Sequence, residues 1–399
     1  MPKISTKGLR MPDSPIRKLA PFATAAKKAG KRVLHLNIGQ PDIETPQVAL
    51  DAVRGMDRTV IEYSPSEGFA SYRQGLAAYY AGVGVDVSPE QIMVTTGGSE
   101  ALIFAFQACL EPGDEVIIPE PFYANYNGFA QTAGVKVVPV RARIEDGFAL
   151  PSVEKIAAVI TPRTRAMLIC NPGNPTGYVY SEEELQSIRS LALKHDLYLF
   201  ADEVYREFCY GEELPRSVMT LEGLDEHVVL IDSVSKRYSM CGARVGALVT
   251  RNAAVRGACM KFAMARLSPP TLGQIAGEAA LATPSSYFTD VVSRYVSRRD
   301  ALVEGLQAID GVVCTSPGGA FYCVVRLPID SSDVFCQWML EHFDLDGDTV
   351  MMAPASGFYA TQGAGQDEVR IAYVLEEPLI RRATQVLAKG LAAYLVRND

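Results

Sequence analysis

"HVVLIDSVSKRYSMCGARVGALVT", residues 227–250, decides how this chain is read. Its opening run, "HVVLI" (227–231), has the length and β-branched content of a buried strand, and so does its closing run, "GALVT" (246–250). Between the two lie Asp232, Ser233, Ser235, Lys236 and Arg244. A lone lysine is ordinarily a solvated surface group. In a parallel α/β sheet, however, ligands bind at the carboxyl ends of the strands, and Lys236 follows such an end in the company of hydroxyls and an arginine.

Upstream of this stretch the same pattern repeats. Strand candidates "QIMVT" (91–95), "EVIIP" (115–119), "VKVVPV" (135–140), "AMLIC" (166–170) and "LYLFA" (197–201) alternate with helical stretches. One of these helices, "SEEELQSIRSLALKHD", opens with a capping box formed by Ser181 and Glu184. Alternation of this kind predicts an α/β domain with a mostly parallel seven-stranded sheet flanked by helices. After residue 285 the pattern changes. A long polar helix, "SSYFTDVVSRYVSRRDALVEGLQAI", leads through "GVVCTSPGGAFYCVVRLP" and the helix "SDVFCQWMLEHF" to a strand, "EVRIAYVL", and a last helix. This part reads as a smaller α+β domain. The division expected is 1–49 for an N-terminal arm and part of the small domain, 50–285 for the large domain and 286–399 for the small one. Within the arm, "SPIRKLAPFATAAKKAG" reads as a capped helix closed by Gly30, and an integral arm fits this basic segment better than a transit peptide.

Bulk properties narrow the function. The chain has 399 residues, 48% of them hydrophobic, enough for one large core and a second, smaller one. A net charge of −8 leaves no basic footprint for nucleic acid. No apolar run approaches the roughly 20 residues a membrane helix needs. The eight cysteines show no C-x-x-C pair and no disulfide spacing, which fits a reducing cytoplasm, and the four scattered histidines give no metal-ligand pattern.

Three further strand ends carry unusual groups. After 91–95 come Gly97, Gly98, Ser99 and Glu100 at the start of a helix, where free backbone N–H groups can hold a phosphate; a tight turn capped by Ser99 is the plainer explanation. After 166–170 comes "NPGNPTG" (171–177), a stiff loop that presents Asn174. After 197–201 comes Asp202, then Tyr205; a carboxylate at the end of a buried strand needs a partner, which a helix N-terminus or a protonated pyridine nitrogen would provide. Ser233, Ser235 and Arg244 offer a second set of phosphate donors around Lys236. Cationic neighbours weaken an ammonium's hold on its proton and ready it for attack on an aldehyde. Each feature singly has an ordinary structural explanation. Together they describe the needs of one cofactor, pyridoxal phosphate, with Lys236 held as an imine.

These segments resemble the class I and II aminotransferases of pyridoxal-phosphate fold type I, the aspartate aminotransferase fold. The likeness runs from "LNIGQPDIETP" through "YSPSEGFASYR", "TTGGSEA", "EPFYANY", "NPGNPTG", "ADEVY" and "SVSKRYSMCGARVG" to "VRIAY". It implies that Lys236 carries the cofactor and moves the proton at the substrate Cα, and that Asp202 keeps the pyridine nitrogen protonated. Asn174 and Tyr205 would bond the ring hydroxyl and Tyr123 would stack on the ring. Gly98, Ser99, Glu100, Ser233, Ser235 and Arg244 would surround the phosphate, joined by Tyr63 from the partner subunit of a homodimer. Arg370 would clamp the substrate α-carboxylate, near Gly39 and Asn174. The resemblance implies transamination between an amino acid and a 2-oxo acid such as 2-oxoglutarate, with aspartate the first expectation.

Substrate choice is where this chain departs from its best-known relatives. Ser99 stands in the glycine turn where one bacterial subgroup has a lysine for the distal carboxylate. Arg266, in "ARLSPPTLGQ", falls near the position of a partner-subunit arginine and is the candidate for that task, with structural pairing as its alternative. Aromatic or broad specificity, or a β-lyase on the same fold, would keep every cofactor residue. A ligand sensor would need a DNA-binding module ahead of "GQPDIETP", which begins at 39, and a nucleotide-dependent dehydrogenase would need a G-x-G-x-x-G after a strand.

Overall fold

The seven apolar runs form one sheet: β1 (Ile92–Thr95), β2 (Glu115–Glu120), β3 (Lys136–Arg141), β4 (Thr164–Cys170), β5 (Tyr198–Asp202), β6 (Val228–Ser233) and β7 (Gly246–Val249). Their spatial order is β1-β7-β6-β5-β4-β2-β3. β7 runs antiparallel to both neighbours and the other pairs are parallel. The sheet is mostly parallel, as expected. β1, β2, β6 and β7 are buried along their whole length, which is why they read as continuous apolar runs rather than alternating ones. The computed structural model describes residues 2–211 and 216–398.

Helices cover both faces. Gly97–Cys109 packs with Val255, Cys259 and Ala263 of Ala253–Arg266 on one side, and Glu182–His195 buries Leu185, Ile188 and Leu191 on the other. The capping box of Ser181 and Glu184 is formed, with Ser181 Oγ accepting from the Glu184 N–H.

The second body is built around an antiparallel sheet whose strands run in the order Ala353–Pro354, Glu368–Ala372, Tyr322–Arg326 and Val313–Cys314. The Ser285–Gln307 and Glu377–Asn398 helices pack on each other beside it. Residues Arg32–His35 pair in parallel with Asp348–Met351, so the N-terminal segment shares this core.

The expected helix from Ser14 forms only from Ala20 to Lys28. Pro21 explains the late start. With no N–H to donate, proline belongs in the first turn of a helix, and here it sits there. Residues 14–19 instead form a turn, in which the N–H groups of Arg17 and Lys18 both donate to the Ser14 carbonyl.

Candidate active site

The carboxyl ends of β1, β4, β5 and β6 open on one cavity of about 680 Å³. Gly98, Ser99, Asn174, Asp202, Tyr205, Ser233, Ser235, Lys236 and Arg244 line it from the large sheet. Gly39, Tyr322 and Arg370 line it from the smaller body, so the two cores meet here.

β6 ends at Ser233, and the short helix Val234–Arg237 begins at once. Ser233 caps it: Oγ accepts from the Ser235 N–H at 3.1 Å and lies 2.8 Å from Ser235 Oγ. Lys236 projects from this helix, and its Nζ donates to the Gly39 carbonyl at 2.7 Å. Beneath it, a buried ion cluster fixes the turn. Asp232 accepts from Arg237 Nη2 at 2.7 Å and from Tyr80 Oη at 2.9 Å, with Arg206 3.9 Å away. Burial opposes ionisation of Asp232, but Arg237 and Arg206 outweigh it and hold the carboxyl below the usual carboxylate range.

β7 enters at the same edge, with Gly246 paired to both Thr95 and Ser233. A β-carbon on Gly246 would lie 2.6 Å from the Gly97 carbonyl carbon and 2.7 Å from Gly98 N. That close backbone approach seats the start of the Gly97–Cys109 helix beside Ser233. Gly97 has φ +74°, and a β-carbon there would come within 2.6 Å of Arg244 Nη2, so glycine makes the room in which that guanidinium lies. Ser99 is not the helix cap. It falls within the first turn, after Thr96, and lines the cavity. Glu100 turns away: its carboxylate accepts from the Thr96 N–H at 2.8 Å and faces Arg266.

Asp202 is buried at the end of β5. Its neighbours are Tyr126 Oη at 2.6 Å and the Val204 N–H at 3.4 Å, and no cation is paired with it among the described residues. Burial pushes its carboxyl up to about 6, against the pull of the Tyr126 and Val204 hydrogen bonds. Tyr205 Oη shares a 2.8 Å hydrogen bond with Tyr322 Oη, and burial raises its phenol well above the ordinary value. Tyr123 also lines the cavity, its phenol pushed up to about 12 by burial.

Arg370 is 1% exposed. Nη1 donates to Asn174 Oδ1 at 3.1 Å, Nη2 donates to the Asn37 carbonyl, and Nε has no partner among the described residues. The guanidinium lies between the Tyr322 and Phe358 rings, 4.4 and 4.8 Å from their centroids. A buried cation that faces a cavity and pairs with no carboxylate among the described residues is built to receive an anion.

Two sequence candidates lie elsewhere. Tyr63 is 76% exposed and does not line the cavity. Arg266, within its own chain, stands 3.3 Å from Glu100 and donates to the Val94 carbonyl at 3.2 Å, outside the cavity lining. Four residues go beyond the sequence reading: Tyr126 under Asp202, Tyr322 beside Tyr205, Asn37 behind Arg370, and Arg17 at the cavity wall. The glycine at 39 makes room for Tyr322, since a β-carbon there would lie 1.8 Å from its hydroxyl, and nothing local in the sequence links the two. Among the described residues no cluster of three or more His, Cys, Asp or Glu side chains could hold a metal, and no helix is long and apolar enough to cross a membrane.

These residues fit pyridoxal phosphate by their own chemistry. The cavity offers a primary amine, an unpaired buried carboxylate for a ring nitrogen, and a cradle of backbone N–H groups, hydroxyls and Arg244 for a phosphate.

Comparison with known proteins identifies the family. The family model for aminotransferase class I and II matches residues 31–387. The aspartate/prephenate aminotransferase of Thermus thermophilus is 32% identical, over 94% of this chain and 97% of its own. The aspartate aminotransferase of Bacillus subtilis is also 32% identical, over 91% and 92%. The solved alanine aminotransferase of Pyrococcus furiosus superposes with a TM-score of 0.89 at 28% identity, covering 98% of this chain and all of that one. The protein is an enzyme that transfers amino groups, and the chain belongs to the class I and II aminotransferase family.

Proposed function

We propose that the protein is a homodimeric, pyridoxal-phosphate-dependent aminotransferase of a reducing cytoplasm that moves the amino group of L-aspartate to a 2-oxo acid such as 2-oxoglutarate. The observation that carries this reading is Arg370, a buried guanidinium that opens, with Lys236 and Asp202, on a single cavity.

Pyridoxal phosphate, when bound, supplies an aldehyde for amino-group exchange and a ring that accepts electron density. The chain's residues do the rest. Arg370 receives the substrate α-carboxylate in a two-pronged contact and, with Asn174, orients the Cα–H bond. The Lys236 amine takes and returns the proton at Cα as general base and acid. Asp202, which Tyr126 orients, would hold a proton on the ring nitrogen. Tyr205 and Asn174 would bond the ring hydroxyl, and Tyr123 would cover the ring. Gly98, Ser99, Ser233, Ser235 and Arg244, which line the cavity, would hold the phosphate. Glu100 supports this turn from behind by accepting from the Thr96 N–H.

The dimer rests on surface chemistry. An apolar groove of about 610 Å³ lies between the Gln47–Arg54 and Thr271–Ala280 helices, with Leu50 and Leu272 on its walls. Val60, Ile61 and Tyr63 are exposed in the described chain, at 66%, 55% and 76%. A second subunit that covers these residues would bury Tyr63 at the interface, where the family resemblance assigns it to the partner's phosphate. All eight cysteines are free, as a reducing compartment requires.

The test is a half-reaction. Holoenzyme receives L-aspartate with no 2-oxo acid, and oxaloacetate is measured. One equivalent per subunit is the expected result. Turnover of alanine or phenylalanine without turnover of aspartate would overturn the substrate, and release of ammonia, pyruvate and the free thiol from an S-substituted cysteine, with no half-reaction on aspartate, would overturn the reaction.

A further inference from the structure

Four cationic side chains line the cavity, Arg17, Lys236, Arg244 and Arg370, against one carboxylate, Asp202. The function proposed above assigns three of them: Arg244 to the phosphate, Arg370 to the α-carboxylate and Lys236 to the reaction. Arg17 is left over. It makes no side-chain hydrogen bond or ion pair among the described residues, whereas Lys18, next to it, pairs with Asp333 outside the cavity.

The backbone beneath Arg17 is held on both sides. The Ile16 carbonyl accepts from Asn37 Nδ2 at 2.8 Å, and the Asn37 carbonyl accepts from Arg370. One buried asparagine therefore ties the arm that bears Arg17 to the guanidinium expected to hold the α-carboxylate. Pro15 sits against Gly357, where a β-carbon would lie 2.6 Å from the proline ring, and Leu19 is 4% exposed in the core of the smaller body. A fixed backbone thus carries a long, unpaired cation at the cavity mouth. The Arg17 charge already reaches the cavity wall, where it opposes the rise of the Tyr123 phenol.

We propose that Arg17 is the specificity-determining residue of this site, binding the side-chain carboxylate of a dicarboxylic amino or 2-oxo acid whose α-carboxylate is held by Arg370. The assignment rests on the aminotransferase reading above and adds a residue to it. A guanidinium suits the task because it meets a carboxylate with two parallel N–H donors. Arg266 does not compete within the chain, since it faces Glu100 outside the cavity.

The test uses holoenzyme and two unreactive probes, succinate and butyrate, which differ only in the second carboxylate. Calorimetric titration of wild type, R17Q and R17K gives their dissociation constants. Wild type binds succinate more tightly than butyrate. R17Q weakens succinate binding by roughly 10- to 100-fold, the range for a hydrogen bond to a charged group, and leaves butyrate unchanged. R17K keeps part of the preference. In turnover, R17Q raises KM for aspartate more than it lowers kcat, as loss of a uniformly bound contact should, and spares alanine. If wild type prefers succinate and R17Q does so equally, Arg17 is not the residue, though the dicarboxylate reading stands. If wild type shows no preference, the dicarboxylate substrate fails and the assignment falls with it.

Discussion

Tyr126 Oη donates a 2.6 Å hydrogen bond to Asp202 Oδ2 at the buried end of β5, where no cation among the described residues neutralises the carboxylate. The fold has built a destabilised anion and oriented it. Asp202 is costly in the protein alone, and the proposed function gives it a partner in a cationic ring nitrogen.

A pH dependence follows from that cost. In the apoprotein the Asp202 carboxyl is raised to about 6, so its neutral form is favoured by folding. The associated stability is full below the unfolded pKa of about 4 and is lost as pH rises through about 6. Urea unfolding of the apoprotein is therefore expected to show Asp202→Asn similar to wild type near pH 4, and more stable above pH 6 by up to about 3 kcal/mol. The same variant loses turnover, by roughly 100- to 1,000-fold. A wild type as stable as the variant at pH 7 would mean that the buried carboxylate is not strained.

Lys236 gives a sharper, chemical test. Lys236→Ala is expected to lower kcat by at least about 100-fold, the lower end for a missing general acid–base group. Borohydride should fix the cofactor covalently in wild type and not in the variant. A reducible imine at the site in Lys236→Ala would remove this lysine from its role.

The support below Lys236 is an ion cluster, and removing its centre should cost much. Asp232→Ala would remove the partner that buried Arg237 and Arg206 share, although Arg237 keeps Glu207 and Arg206 keeps Glu203. Thermal or urea unfolding is expected to register a loss of about 2–3 kcal/mol, below the roughly 3–5 kcal/mol of a fully uncompensated buried charge. Because the Asp232 carboxyl is held below its usual range, the wild-type contribution also fades as pH falls through that depressed value. A loss below about 1 kcal/mol would show that the cluster is solvated, as surface pairs are.

Gly246 tests the phosphate cradle without touching a donor. In Gly246→Ala the new methyl would meet the Gly97 and Gly98 backbone and the Asp232 carbonyl, at 2.6–2.7 Å, none of which is a flexible side-chain end. Overpacking of this kind costs about 1–3 kcal/mol, and moving the helix start should weaken cofactor retention on dialysis. Unchanged retention would show that the turn adapts.

Much of this could be read from residues alone because buried parallel strands leave a plain mark. β1 to β7 are near-continuous apolar runs, and the chemistry-bearing residues Asn174, Asp202, Ser233 and Lys236 follow their carboxyl ends directly in the chain. The helix start at Ala20 was harder. The segment that opens at Ser14 reads as one capped helix, and Pro21 in the first turn confines the helix to Ala20–Lys28.

What the sequence by itself determined is the sheet and the order of groups along its edge, because period, burial and chain adjacency are local properties. What only the tertiary structure decided is which distant residues complete the site. Tyr126 reaches Asp202 across 76 residues, Tyr322 reaches Tyr205 across 117, and Arg370 reaches Asn37 across 333. No local pattern encodes such pairs. Tyr126 and Asp202 meet inside the large body and Arg370 and Asn37 inside the smaller one, where chain folding brings distant segments together, and the packing of the two cores encloses Arg370 and the arm residue Arg17 in one cavity.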